Sequence, residues 1–144
     1  MAQKNLAKIA HLRHLMSLER YHILKRSWLG NSLDTLSHFA LLDKLENVLA
    51  IDMSMNAMKS LELSELEMFE NLRYLNLARN QIRHIYRTRQ PINHLELLDL
   101  SGNHLLSLTN STFEGLSALK HLDLSSNSLS QLGTHCRIKS NRFF

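Results

Sequence analysis

Apolar and polar positions alternate along this chain in short bursts separated by a regular interval. In HLDLSSNSL, residues 121–129, Leu122 and Leu124 stand two apart while His121, Asp123 and Ser125 fill the positions around them. A period of two predicts a short strand with both leucines on one face and the polar residues on the other. The alternation then stops, and Asn127 and Leu129 follow. The phrase returns as LLDLSGNHL at 97–105, as YLNLARNQI at 74–82 and, with methionines replacing leucines, as AIDMSMNAM at 50–58. A fainter copy is KRSWLGNSL at 25–33. The asparagines fall at Asn31, Asn56, Asn80, Asn103 and Asn127, separated by 25, 24, 23 and 24 residues. A fixed period of this size is the mark of a solenoid, in which each unit buries its apolar face only against its neighbours.

Extended backwards, the unit is L-x-x-L-x-L-x-x-N-x-L. It is carried by Leu72, Leu75, Leu77, Asn80 and Ile82, then by Leu95, Leu98, Leu100, Asn103 and Leu105, then by Leu119, Leu122, Leu124, Asn127 and Leu129. Val48, Ile51, Met53, Asn56 and Met58 follow it with conservative replacements. After each strand the chain must turn, and a buried turn leaves backbone N–H and C=O groups without strand partners. An inward amide both donates and accepts, so it can satisfy them. Stacking the units predicts an asparagine ladder of Asn31, Asn56, Asn80, Asn103 and Asn127.

On these motifs the chain resembles the leucine-rich repeat family over residues 23–132, and most closely its 24-residue extracellular type, as in Toll-like receptors and adhesion proteins. The resemblance implies an α/β solenoid: a right-handed coil of about five repeats with a curved parallel sheet on the concave face. It also implies a protein-binding role through that face, for a protein ligand or co-receptor. The outward strand residues are then Lys25, Ser27 and Leu29; Ala50, Asp52 and Ser54; Tyr74, Asn76 and Ala78; Leu97, Asp99 and Ser101; and His121, Asp123 and Ser125. Binding candidates among them are Asp52, Tyr74, Asn76, Asp99, His121 and Asp123. An exposed tyrosine suits an anchor. The acidic and amide column has an ordinary explanation as well, namely keeping the sheet soluble.

The return segments have their own spacing. LTNSTFEGLSALKHL places Leu108, Phe113, Leu116 and Leu119 inward, and LELSELEMFENLRYL does the same with Leu61, Leu66, Phe69 and Leu72. Residues 84–95, HIYRTRQPINHL, are irregular, one residue short, and hold Pro91, the sole proline. An extended return is expected there rather than a helical one. Residues 1–22 read as a partial first repeat or an N-terminal cap, and residues 133–144 as a tail or the start of a truncated repeat.

Composition changes this picture little. At 144 residues and 44% hydrophobic content the chain is the size of one domain with a core. Roughly a fifth of it is leucine, so one branched side chain builds most of that core. The net charge of +4 permits an acidic partner, but the basic residues are spread along the chain and nucleic acid is not expected. Arg79, Arg83, His84, Arg87 and Arg89 form the densest basic run, interrupted by Tyr86. It suits an anionic patch of a partner, and equally a solvated loop.

No stretch of eighteen apolar residues exists to span a bilayer. The N-terminus interrupts its apolar residues with Lys4, Lys8, His11 and Arg13, unlike a signal peptide. The single cysteine, Cys136, forms no intrachain disulfide. These features fit a soluble intracellular adaptor, whereas the N-x-T acceptor at Asn110 and the phrase STFEGL fit an ectodomain. The compartment therefore stays open: cell surface or extracellular for a piece of a longer receptor, cytoplasmic for a complete chain. No metal ligand set, nucleophile arrangement or phosphate loop is legible, so neither enzymatic activity nor a cofactor is expected. Bare leucine layers at the ends of a coil would also permit end-to-end self-association.

Overall fold

The computed structural model describes residues 23–24, 34–36, 48–109 and 111–132. Its organising element is a five-stranded parallel sheet built from β1 (Ile23–Leu24), β2 (Ala50–Asp52), β4 (Tyr74–Asn76), β6 (Leu97–Asp99) and β8 (His121–Asp123), in that spatial order. Between them, on the return path, lie β3 (Ser60–Glu62), β5 (His84–Tyr86), β7 (Ser107–Leu108) and β9 (Gln131–Leu132). β3 pairs with β5 and β7 with β9, again in parallel. Ala50 stands opposite Tyr74, Tyr74 opposite Leu97, and Leu97 opposite His121. The chain thus makes three complete turns from β2 to β8, and the result is a parallel-sheet solenoid.

Each turn closes around leucine because both its strand and its return carry apolar side chains at matching places. Leu75, Leu77, Leu98 and Leu100 from the strands meet Leu61, Leu66, Phe69, Leu72 and Leu95 from the returns, all fully buried. Met53 and Met58 occupy the leucine positions of their repeat, also without exposure. The return between β3 and β4 carries a 3-10 helix, Leu63–Met68, which buries Leu63 and Leu66. No α-helix occurs among the described residues. Residues 87–94 contain no helix, in keeping with the short, proline-bearing segment.

The first repeat departs from the frame that its asparagine suggests. Aligning Asn31 with Asn56 would set Arg26 opposite Ile51, an inward position. The sheet instead pairs Ile23 with Ala50 and Leu24 with Ile51. The register is therefore displaced by two residues. Asn31, Lys25, Ser27, Leu29, Asn110 and the two terminal segments 1–22 and 133–144 lie outside the described residues.

The starts of β4, β6 and β8 each use one carbonyl twice. Arg73 and Tyr74 N–H both donate to Leu49 O, Glu96 and Leu97 to Arg73 O, and Lys120 and His121 to Glu96 O. Every strand end uses a left-handed residue just before the asparagine: Met55 (φ 56°), Arg79 (φ 55°), Gly102 (φ 64°) and Ser126 (φ 55°). Only one of the four is glycine. A Cβ at Gly102 would approach Arg79 Cγ to 3.2 Å, a flexible side chain able to give way. Gly102→Ala should thus lower unfolding free energy by about 1 kcal/mol, the left-handed penalty less the entropy removed from the unfolded chain. Chemical denaturation of the purified chain measures it; an unchanged midpoint would show that this turn carries no strain.

Candidate functional site

The asparagines lie where strand gives way to turn, and their bonding connects neighbouring coils. Asn80 Nδ2 donates to Leu77 O of its own coil (2.9 Å) and to Met53 O of the preceding one (2.9 Å), while its Oδ1 accepts from Met58 N (3.1 Å). Asn103 repeats this with Leu100 O (2.9 Å), Leu77 O (3.0 Å) and Ile82 N (3.0 Å). Asn127 does so with Leu124 O (3.0 Å), Leu100 O (2.9 Å) and Leu105 N (3.0 Å). Asn56 donates to Met53 O (3.0 Å). Asn56, Asn80 and Asn103 are buried, whereas Asn127 is half-buried. Their role is structural, since the atoms a ligand would need are engaged.

The solvent face of the five-stranded sheet carries the remaining sequence candidates. Register sets Ala50, Tyr74, Leu97 and His121 in one row and Asp52, Asn76, Asp99 and Asp123 in the next. Tyr74 is 49% exposed, His121 and Asp123 are exposed, and Ala50, Asp52, Asn76, Leu97 and Asp99 are half-buried. Ser54 is an exception to the expected outward column: it is buried, because both its N–H (2.9 Å) and its hydroxyl (2.7 Å) donate to Asp52 Oδ1.

The Asp and Asn column has a local task that alternation alone does not reveal. Asn76 Oδ1 accepts from Ala78 N (3.0 Å), Asp99 Oδ1 from Ser101 N (2.9 Å) and Asp123 Oδ1 from Ser125 N (2.8 Å). Each is an Asx turn that ends its strand by offering the backbone an acceptor two residues on. The signal was present in the sequence as an Asp or Asn after the central strand residue in four repeats, at Asp52, Asn76, Asp99 and Asp123. One oxygen of each side chain is thereby committed to the fold.

Beside these rows runs a charged column that sequence reasoning missed. Glu96 Oε1 meets Arg73 Nη1 at 2.9 Å and Glu96 Oε2 meets Lys120 Nζ at 2.7 Å, so one carboxylate bridges three coils. The spacing of Arg73, Glu96 and Lys120 equals the repeat period, which is how it could have been found. The hydrogen bond from Lys120, aided by its charge and by Arg73, holds the Glu96 carboxyl below its ordinary value. Nearby, His94 Nε2 is buried and makes no hydrogen bond. Burial, with help from the Arg73 cation, lowers the His94 pKa against the opposing pull of the Phe69 carbonyl and Glu70.

Both groups predict a loss of stability in acid, in separate windows. A histidine whose folded pKa lies below its unfolded value of about 6.5 favours the unfolded chain once pH drops below that value. The loss ends below the lowered folded value. Glu96, also lowered in the fold, stabilises above its unfolded value and loses that contribution as pH falls through its folded one. His94→Gln should therefore flatten the upper step and Glu96→Gln the lower one in thermal melts taken across pH. Curves parallel to wild type at every pH would contradict both assignments.

Among the described residues, no group of three His, Cys, Asp or Glu side chains is placed to hold a metal ion. No helix among them is long and apolar enough to cross a membrane.

The repeats also have counterparts in known proteins. Residues 93–139 match the Leucine rich repeat family. A stretch of 56 residues is 46% identical to leucine-rich repeat-containing protein 4C of Homo sapiens, covering 39% of this chain and 9% of that protein. Another of 87 residues is 36% identical to Toll-like receptor 9 of Mus musculus, covering 59% of this chain and 8% of the receptor. The chain thus spans less than a tenth of either relative's length. Taken with the ladder of asparagines and the in-register parallel coils that it ties together, these matches show leucine-rich repeats in a solenoid similar to those of leucine-rich repeat proteins.

Proposed function

We propose that this chain is a recognition segment of an extracellular or membrane-anchored receptor or adhesion protein, binding a protein partner through the solvent face of its five-stranded sheet. The observation that carries this reading is the row Tyr74, Leu97 and His121. Three large side chains lie on adjacent strands about 4.8 Å apart, beside a row of Asp52, Asn76, Asp99 and Asp123. Tyr74 offers a broad amphipathic ring at low entropy cost, the chemistry of an anchor. The carboxylates of Asp99 and Asp123 spend one oxygen on their turns and offer the other to a basic group. The backbone beneath is cross-linked by the ladder, so binding requires little rearrangement.

The test compares wild type with Tyr74→Ala and Asp99→Lys, displayed as part of the full-length product, in capturing surface-labelled proteins from intact cells. Losing an anchor should weaken capture about tenfold or more. Undiminished capture by both variants would rule out this face. Expression of the full-length product in mammalian cells separates the compartments: a glycan removed enzymatically from Asn110 supports the receptor reading. A cytoplasmic, unglycosylated product supports an intracellular adaptor using the same coil as a scaffold.

A further inference from the structure

On the return side, the third repeat lifts a basic segment away from the core and holds it there. Fourteen residues before the ladder asparagine, the neighbouring repeats bury Leu66 and Phe113, whereas this repeat places Arg89 there, exposed. Its return is also one residue shorter, and between Ile85 and Ile92 nothing enters the core. Arg83, His84, Tyr86, Arg87 and Arg89 are all exposed, with Tyr86 at 54%.

The segment is nevertheless pinned on both sides. Thr88 Oγ1 donates to Glu67 Oε1 of the preceding coil (2.6 Å) and accepts from Gln90 N (3.0 Å). Ile92 N donates to Gly115 O of the following coil (2.7 Å), and Gly115 has no Cβ to crowd Thr88 Cγ2.

Charge and apolar area coincide here. Arg83 N donates to Lys59 O (3.0 Å), so these cations occupy the same place on adjacent coils. Leu106, 58% exposed, occupies that place on the next coil. Lys59, Arg83, Arg87 and Arg89 outnumber the carboxylates Glu62, Glu67 and Glu114 of the same and adjoining returns. None of the four cations forms an ion pair among the described residues. His84 and Tyr86 form a tilted ring pair with centroids 6.4 Å apart.

We infer that the surface formed by Arg83, Tyr86, Arg87, Arg89 and Leu106 is a second docking site, separate from the sheet face, for an acidic protein segment bearing an apolar anchor. Three guanidinium forks suit carboxylate or phosphate oxygens. Exposed Tyr86 and Leu106 select among polyanions, because a sulfated glycan or a nucleic acid has no aliphatic side chain to cover Leu106. The pinned backbone means that the arginines need not be ordered at the moment of binding.

Fluorescence anisotropy with a labelled peptide, in which glutamates flank a central phenylalanine, tests the site at low ionic strength. Wild type should bind, and added salt should weaken the complex. Arg83→Glu combined with Arg87→Glu should cost about tenfold or more, and Leu106→Ala about three- to tenfold. Tyr74→Ala should leave the affinity unchanged, so this site can fail while the sheet-face reading stands, and the reverse. Arg87→Gln and Arg89→Gln, outside any strand, repeat the reading should Arg83→Glu disturb the β3–β5 pairing. Absence of binding by wild type, or indifference to these substitutions, would overturn the proposal. So would a heparin fragment, a single-stranded oligonucleotide or a polyglutamate peptide without phenylalanine binding as tightly as the probe.

Discussion

Asn103→Ala is expected to lower the unfolding free energy by about 3–5 kcal/mol, a large part of the 5–15 kcal/mol typical of a domain. The bonds that disappear, to Leu77 O, Leu100 O, Ser101 O and Ile82 N, are unequal. Leu77 O keeps a donor from Asn80 and Leu100 O keeps one from Asn127, so each carbonyl remains satisfied. Ile82 N–H, bonded to Asn103 Oδ1, is left buried without an acceptor. The orphaned donor costs about 1–3 kcal/mol and each lost bond about 1 kcal/mol.

The shared carbonyls add a sharper prediction. Asn80→Ala together with Asn103→Ala strips Leu77 O of both side-chain donors, so the pair should be worse than the sum of its members by about 1 kcal/mol or more. Asn80→Ala with Asn127→Ala shares no carbonyl and should be additive within about 0.5 kcal/mol. Urea denaturation of the three single and two double variants settles it. Additivity in both pairs would mean that the ladder acts as separate caps rather than a connected network.

Phe69→Ala is the second large expected effect, about 3–5 kcal/mol. Phe69 is fully buried between the 3-10 helix Leu63–Met68 and β4, and its backbone accepts from Leu72 N. The following coil places the smaller Ile92 at the equivalent position, so no bulky neighbour stands ready to fill the space. A solenoid turn has few ways to collapse inward, because its inner strand is tied at about 4.8 Å to the coils on either side. Met53→Leu, by contrast, conserves volume at another fully buried position and should cost less than about 1.5 kcal/mol. Thermal unfolding followed by circular dichroism compares the two. Similar midpoints for both would show that the coil closes over the Phe69 cavity.

The binding surfaces and the stability core compete for few residues. Tyr74, His121, Tyr86 and Leu106 stand outside the core, so truncating them should change recognition more than folding. Asp99 and Asp123 are different, since each also ends a strand through its Asx turn. Substituting Asp99 by Asn, which can keep that acceptor, separates loss of charge from loss of the turn.

The coil, its period and its inward residues were legible in the sequence because a repeat states the same constraint several times over. Leu75, Leu98 and Leu122 recur at one phase, and only strands of period two stacked in parallel bury them all. The asparagines were legible for the same reason, as polar residues at an inward phase need a backbone to satisfy. Tertiary structure alone decided what depends on neighbours across coils. It showed that Leu77 O and Leu100 O each serve two asparagines, that Glu96 joins Arg73 to Lys120, and that Ser54 is buried against Asp52. It also moved the first strand by two residues from the frame of Asn31. Periodicity reports what a residue's own strand requires. Which partner lies about 4.8 Å away on the next coil is a property of stacking, and a single repeat does not contain it.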